Sequence, residues 1–150
     1  MARIYVASSW RNEQQAAVVQ ALREAGHQVY DFKNPAPGNT GFGWSQIDLN
    51  WRNWPPEQVR QALKHPVAQA GFKLDHDAMA WADTFVMVLP CGRSAHLELG
   101  WACGGGKRTI ILMPTQQEPE LMYLEADYLA FSVPEVLDAV RRDVVSPGWL

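Results

Sequence analysis

Apolar and polar positions alternate between two periods along the chain. Arg3-Ile4-Tyr5-Val6-Ala7 is a short apolar, partly β-branched run and predicts a first strand. Ser8 and Ser9 follow and suit a helix cap. Over residues 12–25, Ala16, Ala17, Val19, Leu22 and Ala25 recur at helical spacing. Gly26 stands where a helix C-terminal glycine belongs. His27-Gln28-Val29-Tyr30-Asp31-Phe32 alternates like a second strand, which completes a βαβ unit. Residues 33–54 break the pattern with Pro35, Pro37, Gly38, Gly41 and Gly43, then Trp44, Trp51 and Trp54. So long a connection is usually functional or disordered, and three tryptophans oppose disorder. An ordered aromatic excursion, lid-like in character, is expected. Pro55-Pro56-Glu57 opens a short helix to about Lys64, Pro66 interrupts it, and a second helical stretch covers about 67–82. Thr84-Phe85-Val86-Met87-Val88-Leu89 is continuously apolar, as a central strand covered on both faces should be. After a turn at 90–94, a helix is expected from Ala95 to about Cys103, ended by Gly104-Gly105-Gly106. Thr109-Ile110-Ile111-Leu112-Met113 is a fourth strand, 115–125 a loop and Tyr128-Leu129-Ala130-Phe131 a short fifth strand. Ser132 and Glu135 form a capping box for a last helix to about Val144.

Strands alternating with helices predict an α/β domain of three layers around a mostly parallel five-stranded sheet. At 150 residues the chain is expected to be a single domain over 1–150, with the Trp/Gly/Pro-rich excursion at about 33–54. Hydrophobic residues make up 47% of it, enough for a core. Thirteen Lys and Arg against sixteen Asp and Glu leave a formal charge of −3. That balance argues against a nucleic-acid polymer as partner, because phosphate neutralisation needs a basic surplus; single nucleotides stay open. No apolar run approaches the roughly 18 residues of a membrane span, and the N-terminus lacks a signal peptide's apolar region. Cys91 and Cys103 have neither disulfide-framework nor zinc-site spacing. A cytoplasmic protein with free thiols is expected.

Open parallel sheets bind ligands outside the carboxyl ends of their strands, where strand order reverses. The segments to inspect are therefore 7–10, 31–34, 90–94 and the chain from Pro114 onward. Glu98 stands out. Its helix-face neighbours are Ser94, Ala95, Trp101 and Ala102, with no Lys or Arg among them. The helix N-terminus one turn away favours its ionised form by about 0.3–1 kcal/mol. An ionised, partly desolvated carboxylate suits a nucleophile; the alternative is a solvated glutamate that complements the dipole. Asp75 and Asp77 precede the central strand, Asp75 eight residues before Asp83. Glycosidic cleavage calls for two carboxyl groups, one nucleophilic and one proton-donating; the alternative is surface charge at a helix end. Asp75-His76-Asp77 does not make a metal site, since adjacent helical residues point apart and no further His is suitably spaced. Gly92, Arg93 and Ser94 open the helix after the third strand, where N–H groups, hydroxyl and guanidinium suit an anion such as phosphate. An ordinary Ser94 N-cap with a solvated Arg93 is the other reading. Tyr5 is expected near the carboxyl end of its strand, either orienting Glu98 or packing in the core. Trp10, Phe42 and Trp44 suit stacking on a planar base, against a purely structural role.

Gly104-Gly105-Gly106-Lys107-Arg108 is not a P-loop, because the glycines end a helix and Arg108 replaces the Ser or Thr. Gly41-Phe42-Gly43 lacks the third fingerprint glycine, at Gln46. Ser8-Ser9 has no nucleophile-elbow context.

Taken together, the sequence resembles the nucleoside 2-deoxyribosyltransferase family. The matching pieces are Ile4-Tyr5-Val6-Ala7, the Asp75-to-Asp83 spacing, the apolar strand 84–89, Glu98-Leu99-Gly100, and a helix ending in Gly106-Lys107 before another apolar strand. They cover about two thirds of the chain. The resemblance implies a flavodoxin-like sheet and a homo-oligomer with sites near subunit contacts. It implies attack on the anomeric carbon by Glu98, orientation of that glutamate by Tyr5, and proton handling near the nucleobase by Asp75. The family's sugar-contacting aspartate falls on Gly92, and its neighbour-subunit asparagine falls on Glu120, before Leu121 and Met122. Both departures alter sugar recognition. Arg93-Ser94 is similar in kind to the nucleotide N-hydrolases of the same superfamily, which hold a 5′-phosphate near this turn. The expected substrate-binding set is Ser8, Trp10, Asp77, Gly92, Arg93, Ser94 and Glu120. The implied activity is cleavage or transfer at the N-glycosidic bond of a nucleoside or its 5′-monophosphate, with no metal or redox cofactor. Two readings from other classes stand beside it. One is a nucleotide-ligand sensor like the Toll/interleukin-receptor domains, some of which act on NAD. The other is an interaction domain using the tryptophan-rich loop.

Overall fold

The apolar runs become five strands in a computed structural model that describes residues 1–142. They are β1 (Arg3–Ala7), β2 (Gln28–Asp31), β3 (Thr84–Val88), β4 (Arg108–Leu112) and β5 (Tyr128–Ala130). Every pairing is parallel, in the order β2-β1-β3-β4-β5. The order reverses between β1 and β3, so the ligand crevice of such a sheet is expected at their carboxyl ends. The helices are α1 (Gln15–Glu24), α2 (Pro56–Ala62), α3 (Pro66–Trp81), α4 (Arg93–Gly104) and α5 (Val133–Arg142). No helix among the described residues is long and apolar enough to cross a membrane.

The sheet's period of two sorts its side chains into layers. Ile4, Val6, Val86, Val88, Ile110 and Leu112 meet Val18, Val19 and Leu22 of α1 and Val136, Ala139 and Val140 of α5 in one core. On the opposite face the register aligns Tyr30, Tyr5, Phe85 and Thr109 in a row, covered by α4. Together they make the three-layer α/β arrangement.

The chain packs as two compact units: Met1–Asp31 together with the chain from Met79 onward, and Phe32–Ala78. The first holds the sheet with α1, α4 and α5. The second takes in the tryptophan-rich segment, with 3-10 turns at Trp44–Gln46 and Trp51–Asn53, then α2 and most of α3. Inside it Trp44 meets Phe42 and Trp54 edge-on, at 4.8 and 5.7 Å between centroids. The Trp54 indole donates to Asp48 Oδ2 at 2.7 Å. Gly71 permits close packing here, because a Cβ would lie 3.0 Å from that of Phe42.

Several boundaries differ from expectation for local reasons. Pro66 opens α3 rather than interrupting a helix, since a first-turn proline loses no hydrogen bond. Ser8 and Ser9 do not cap α1, which starts at Gln15; Asn12 Oδ1 instead accepts from Gln14 N at 2.8 Å. The buried stripe of α1 is Gln15, Val18, Val19 and Leu22, while Ala16, Ala17 and Ala25 are exposed. The stripe passes through Gln15, which is tolerated inside because its amide donates to Asp31 Oδ1 at 2.9 Å. The expected loop 115–125 ends in a 3-10 turn, Leu121–Glu125, which Glu120 caps by accepting from Met122 N at 3.0 Å. Ser132 and Glu135 do brace α5, by bonds to Glu135 N and Phe131 N. The expected end of that helix, at Val144, lies outside the described residues.

Candidate active site

The turn after β3 is built first, because it aims α4. Val88 O accepts from Ser8 Oγ at 2.8 Å and from Asn12 Nδ2 at 3.2 Å. Asn12 Nδ2 also donates to Pro90 O at 3.2 Å. The strand-one loop thus clamps the end of β3, and α4 begins at Arg93 with Gly92 as its N-cap. Gly92, Arg93 and Ser94 are all exposed, and Ser94 is inside the helix rather than its cap. A Cβ at Gly92 would meet nothing within 4 Å, so the space beside the helix start is open.

α4 buries Ala95, Leu99 and Ala102 against the sheet. Glu98 lies on the flank of that stripe, one turn into the helix, and its Oε2 is fully buried. Trp101, one turn further, reaches Phe85 at 6.2 Å between centroids. Phe85 stacks on Tyr5 at 5.0 Å, and Tyr5 on Tyr30 at 5.3 Å. Tyr5 is completely buried at the middle of β1, hydroxyl included, on the α4 side of the sheet. The same sheet face therefore carries a buried phenol and, at its carboxyl edge, a buried carboxylate oxygen.

Three further groups at this edge carry no sequence signal. Burial, with the Glu98 charge adding to it, pushes the Cys91 thiol up from 9.0 to about 12, so Cys91 stays a neutral thiol beside the carboxylate. Cys91 Sγ lies 3.8 Å from His96 Nδ1. His96 Nδ1 is 2.7 Å from Gly92 O, and its Nε2 is 3.0 Å from the Tyr123 hydroxyl. Burial raises the Tyr123 phenol, with smaller contributions from the neighbouring Cys91 and from the Glu120 charge. Glu120 itself is exposed, as are Leu121 and Met122 beside it.

The structure thus gathers Glu98 and Tyr5 against one sheet face, with Gly92, Arg93 and Ser94 at the start of the helix that carries Glu98. Ser8 braces the turn, and its hydroxyl proton is committed to Val88. Trp10 is half exposed in the loop after β1. Asp75 and Asp77 belong to the second unit, on α3. Asp75 is half-buried, whereas Asp77 is exposed and paired with Lys73 at 2.6 Å. The ring of His76 stacks on Phe72. Among the described residues no three His, Cys, Asp or Glu side chains converge as a metal would require. Trp51 and Trp54 of the tryptophan-rich loop are half-buried.

Among solved structures, the chain is similar to a 2-deoxyribosyltransferase from Bacillus psychrosaccharolyticus. The TM-score is 0.63 at 24% identity, over 90% of each chain. It is similar also to the CMP N-glycosidase BcmB of Clostridium botulinum. There the TM-score is 0.52 at 20% identity, over 93% of this chain and 98% of that one. At these identities the likeness establishes the fold, and that fold is the one the sequence resemblance implied. No protein-family model matches the chain, and no curated protein matches it in sequence.

Proposed function

We propose that this protein cleaves or transfers at the N-glycosidic bond of a nucleoside or nucleoside 5′-monophosphate, with Glu98 as nucleophile. The observation that carries this reading is the buried Glu98 oxygen at the carboxyl edge of the sheet, on the helix that follows β3 beside the β1/β3 reversal. A carboxylate stripped of water on one oxygen is poised to attack a carbon that develops positive charge. The fold likeness to a 2-deoxyribosyltransferase and a CMP N-glycosidase supports the same chemistry. In the proposed sequence a Glu98 oxygen bonds to C1′ as the C1′–N bond breaks. The departing base nitrogen keeps the electron pair and takes a proton. Water, or a second base, then gives its proton to the group that protonated the first base and displaces Glu98 from C1′, which releases the free or transferred sugar. Tyr5 holds the carboxylate in place from the sheet side. Arg93 and Ser94 meet a phosphate or ribose oxygen at the open start of α4. Asp75 supplies the proton to the base, as the resemblance implies. The exposed Leu121 and Met122 fit the subunit contact of a homo-oligomer.

The experiment incubates the protein with pooled nucleosides, 5′-mononucleotides and NAD, with and without acceptor bases, and follows free or exchanged base by chromatography. Release should fall about a thousandfold or more in Glu98→Ala. Asp75→Asn should suppress release of neutral bases far more than release of nicotinamide, which leaves from a cationic ring without protonation. No release from any substrate, or equal release by Glu98→Ala, sinks the reading.

A further inference from the structure

His96 and Tyr123 come from segments 27 residues apart and meet at the carboxyl edge of the sheet. Their hydrogen positions follow from their partners. A carbonyl oxygen only accepts, so the 2.7 Å contact to Gly92 O places a proton on His96 Nδ1. In the neutral imidazole Nε2 then carries a lone pair and accepts the Tyr123 hydroxyl proton at 3.0 Å. The two rings lie within 19° of parallel, which fixes the phenol as well as its proton. Tyr123 is thereby left with acceptor capacity only. Cys91 links this pair to the nucleophile: its sulfur touches the His96 ring, and its thiol feels the Glu98 charge. Glu120 caps the turn that carries Tyr123, and its charge disfavours the phenolate. An anion at this point would meet a lone pair and the Glu120 charge. A neutral hydrogen-bond donor would be welcomed.

We propose that Tyr123, oriented by His96, is a specificity-determining residue that accepts a hydrogen bond from a hydroxyl group of the nucleoside sugar. This rests on the glycosidic reading of Glu98 for the identity of the ligand. The hydroxyl is that of a pentose whose anomeric carbon faces Glu98, and the acceptor is the phenolic oxygen of Tyr123. Neither residue touches the reacting bond, so their effect falls on which sugar is held.

The test is equilibrium binding by titration calorimetry on the full chain. The probes are cytidine and adenosine, each with its 2′-, 3′- and 5′-deoxy counterparts. One hydroxyl deletion should weaken binding to the unmodified protein by about fivefold or more, as for the loss of one hydrogen bond. Tyr123→Phe should weaken the parent nucleoside by a similar factor, but not the counterpart lacking that hydroxyl. His96→Phe keeps a ring for stacking but removes the nitrogen that holds the phenol proton, and should erase the same preference. Equal weakening of parent and deoxy compounds by Tyr123→Phe would mean a structural role and overturn the proposal. So would an unchanged preference, or the absence of nucleoside binding by the unmodified protein. Hydroxyl selectivity that depends on Tyr123, in a protein that releases no base, would leave this inference standing and remove the glycosidic one.

Discussion

The proximity of Cys91 to Glu98 makes a prediction that needs no substrate. The thiolate is the form that alkylates. A rise from 9.0 to about 12 cuts the thiolate fraction at pH 8 by about a thousandfold relative to an ordinary cysteine. A more basic thiolate is a better nucleophile, and a Brønsted slope of about 0.4–0.5 returns roughly 15- to 30-fold of that loss. Cys91 is only partly buried, so water screens some of the remainder. The expected result is alkylation by iodoacetamide about ten- to fiftyfold slower than that of a free cysteine peptide. Burial is the larger cause of the shift and the Glu98 charge the smaller. Glu98→Gln keeps the packing and removes the charge, so it should speed Cys91 severalfold without reaching the free rate. Cys103, whose thiol is raised mainly by burial and has no contribution from Glu98, is the internal control. Peptide mapping by mass spectrometry after timed labelling at several pH values reads both cysteines at once. Labelling of Cys91 at the free-peptide rate, or a Glu98→Gln rate identical to the unmodified one, would refute the placement of the carboxylate beside the thiol. The case for Glu98 as a desolvated nucleophile would weaken with it.

Two further outcomes concern the frame around the site. Asn12→Ala removes a buried side chain that donates to Val88 O and Pro90 O, and should cost about 1–3 kcal/mol in urea unfolding; a loss below about 0.5 kcal/mol would mean that the turn holds itself. His27 Nδ1 accepts from Ala2 N at 3.0 Å, and burial, then the positive N-terminus, holds the imidazole below its usual 6.5. A lowered folded value means that the contribution is present above pH 6.5 and lost as pH falls through the folded value. The urea midpoint should therefore decline below pH 6.5, and His27→Gln should flatten that decline; an unchanged pH profile would rule out His27 as the titrating group.

Much of the fold was legible because its signals are local. The β-branched runs at 3–7, 84–88 and 108–112 are bounded by Ser, Asp, Pro and Gly, and a parallel sheet is the arrangement that buries them on both faces. Glu98 was legible for the same reason: a strand, a Pro-Cys-Gly turn and a helix place it one turn in, whatever the rest of the chain does. Ser8 misled because a serine after a strand resembles a cap, while its hydroxyl donates to Val88 O, 80 residues away. Gln15 was hidden because polar residues are expected outside, and only its pairing with Asp31 makes burial tolerable. Tyr123 lay in a stretch without periodicity, and His96 carried no sequence signal of its own on α4. Their meeting depends on how the chain returns after β4, which no spacing rule encodes.

The character of the site follows from what each of these groups does with its proton. Glu98 offers oxygen lone pairs, one of them on a fully buried atom. The Tyr123 proton is taken by His96, whose own proton is taken by Gly92 O. Cys91, held as a thiol, adds no charge. The carboxyl edge is thus rich in acceptors, while the positive group nearest in sequence, Arg93, is exposed at the mouth of α4. A carboxylate with one buried oxygen, at the place where open parallel sheets bind ligands, is the feature on which the proposed chemistry rests. Under the proposed reading, the ligand brings hydrogen-bond donors to these acceptors and a carbon that can bear positive charge to Glu98. A glycosidic pentose has both: hydroxyl groups around its ring, and an anomeric carbon stabilised as an oxocarbenium ion.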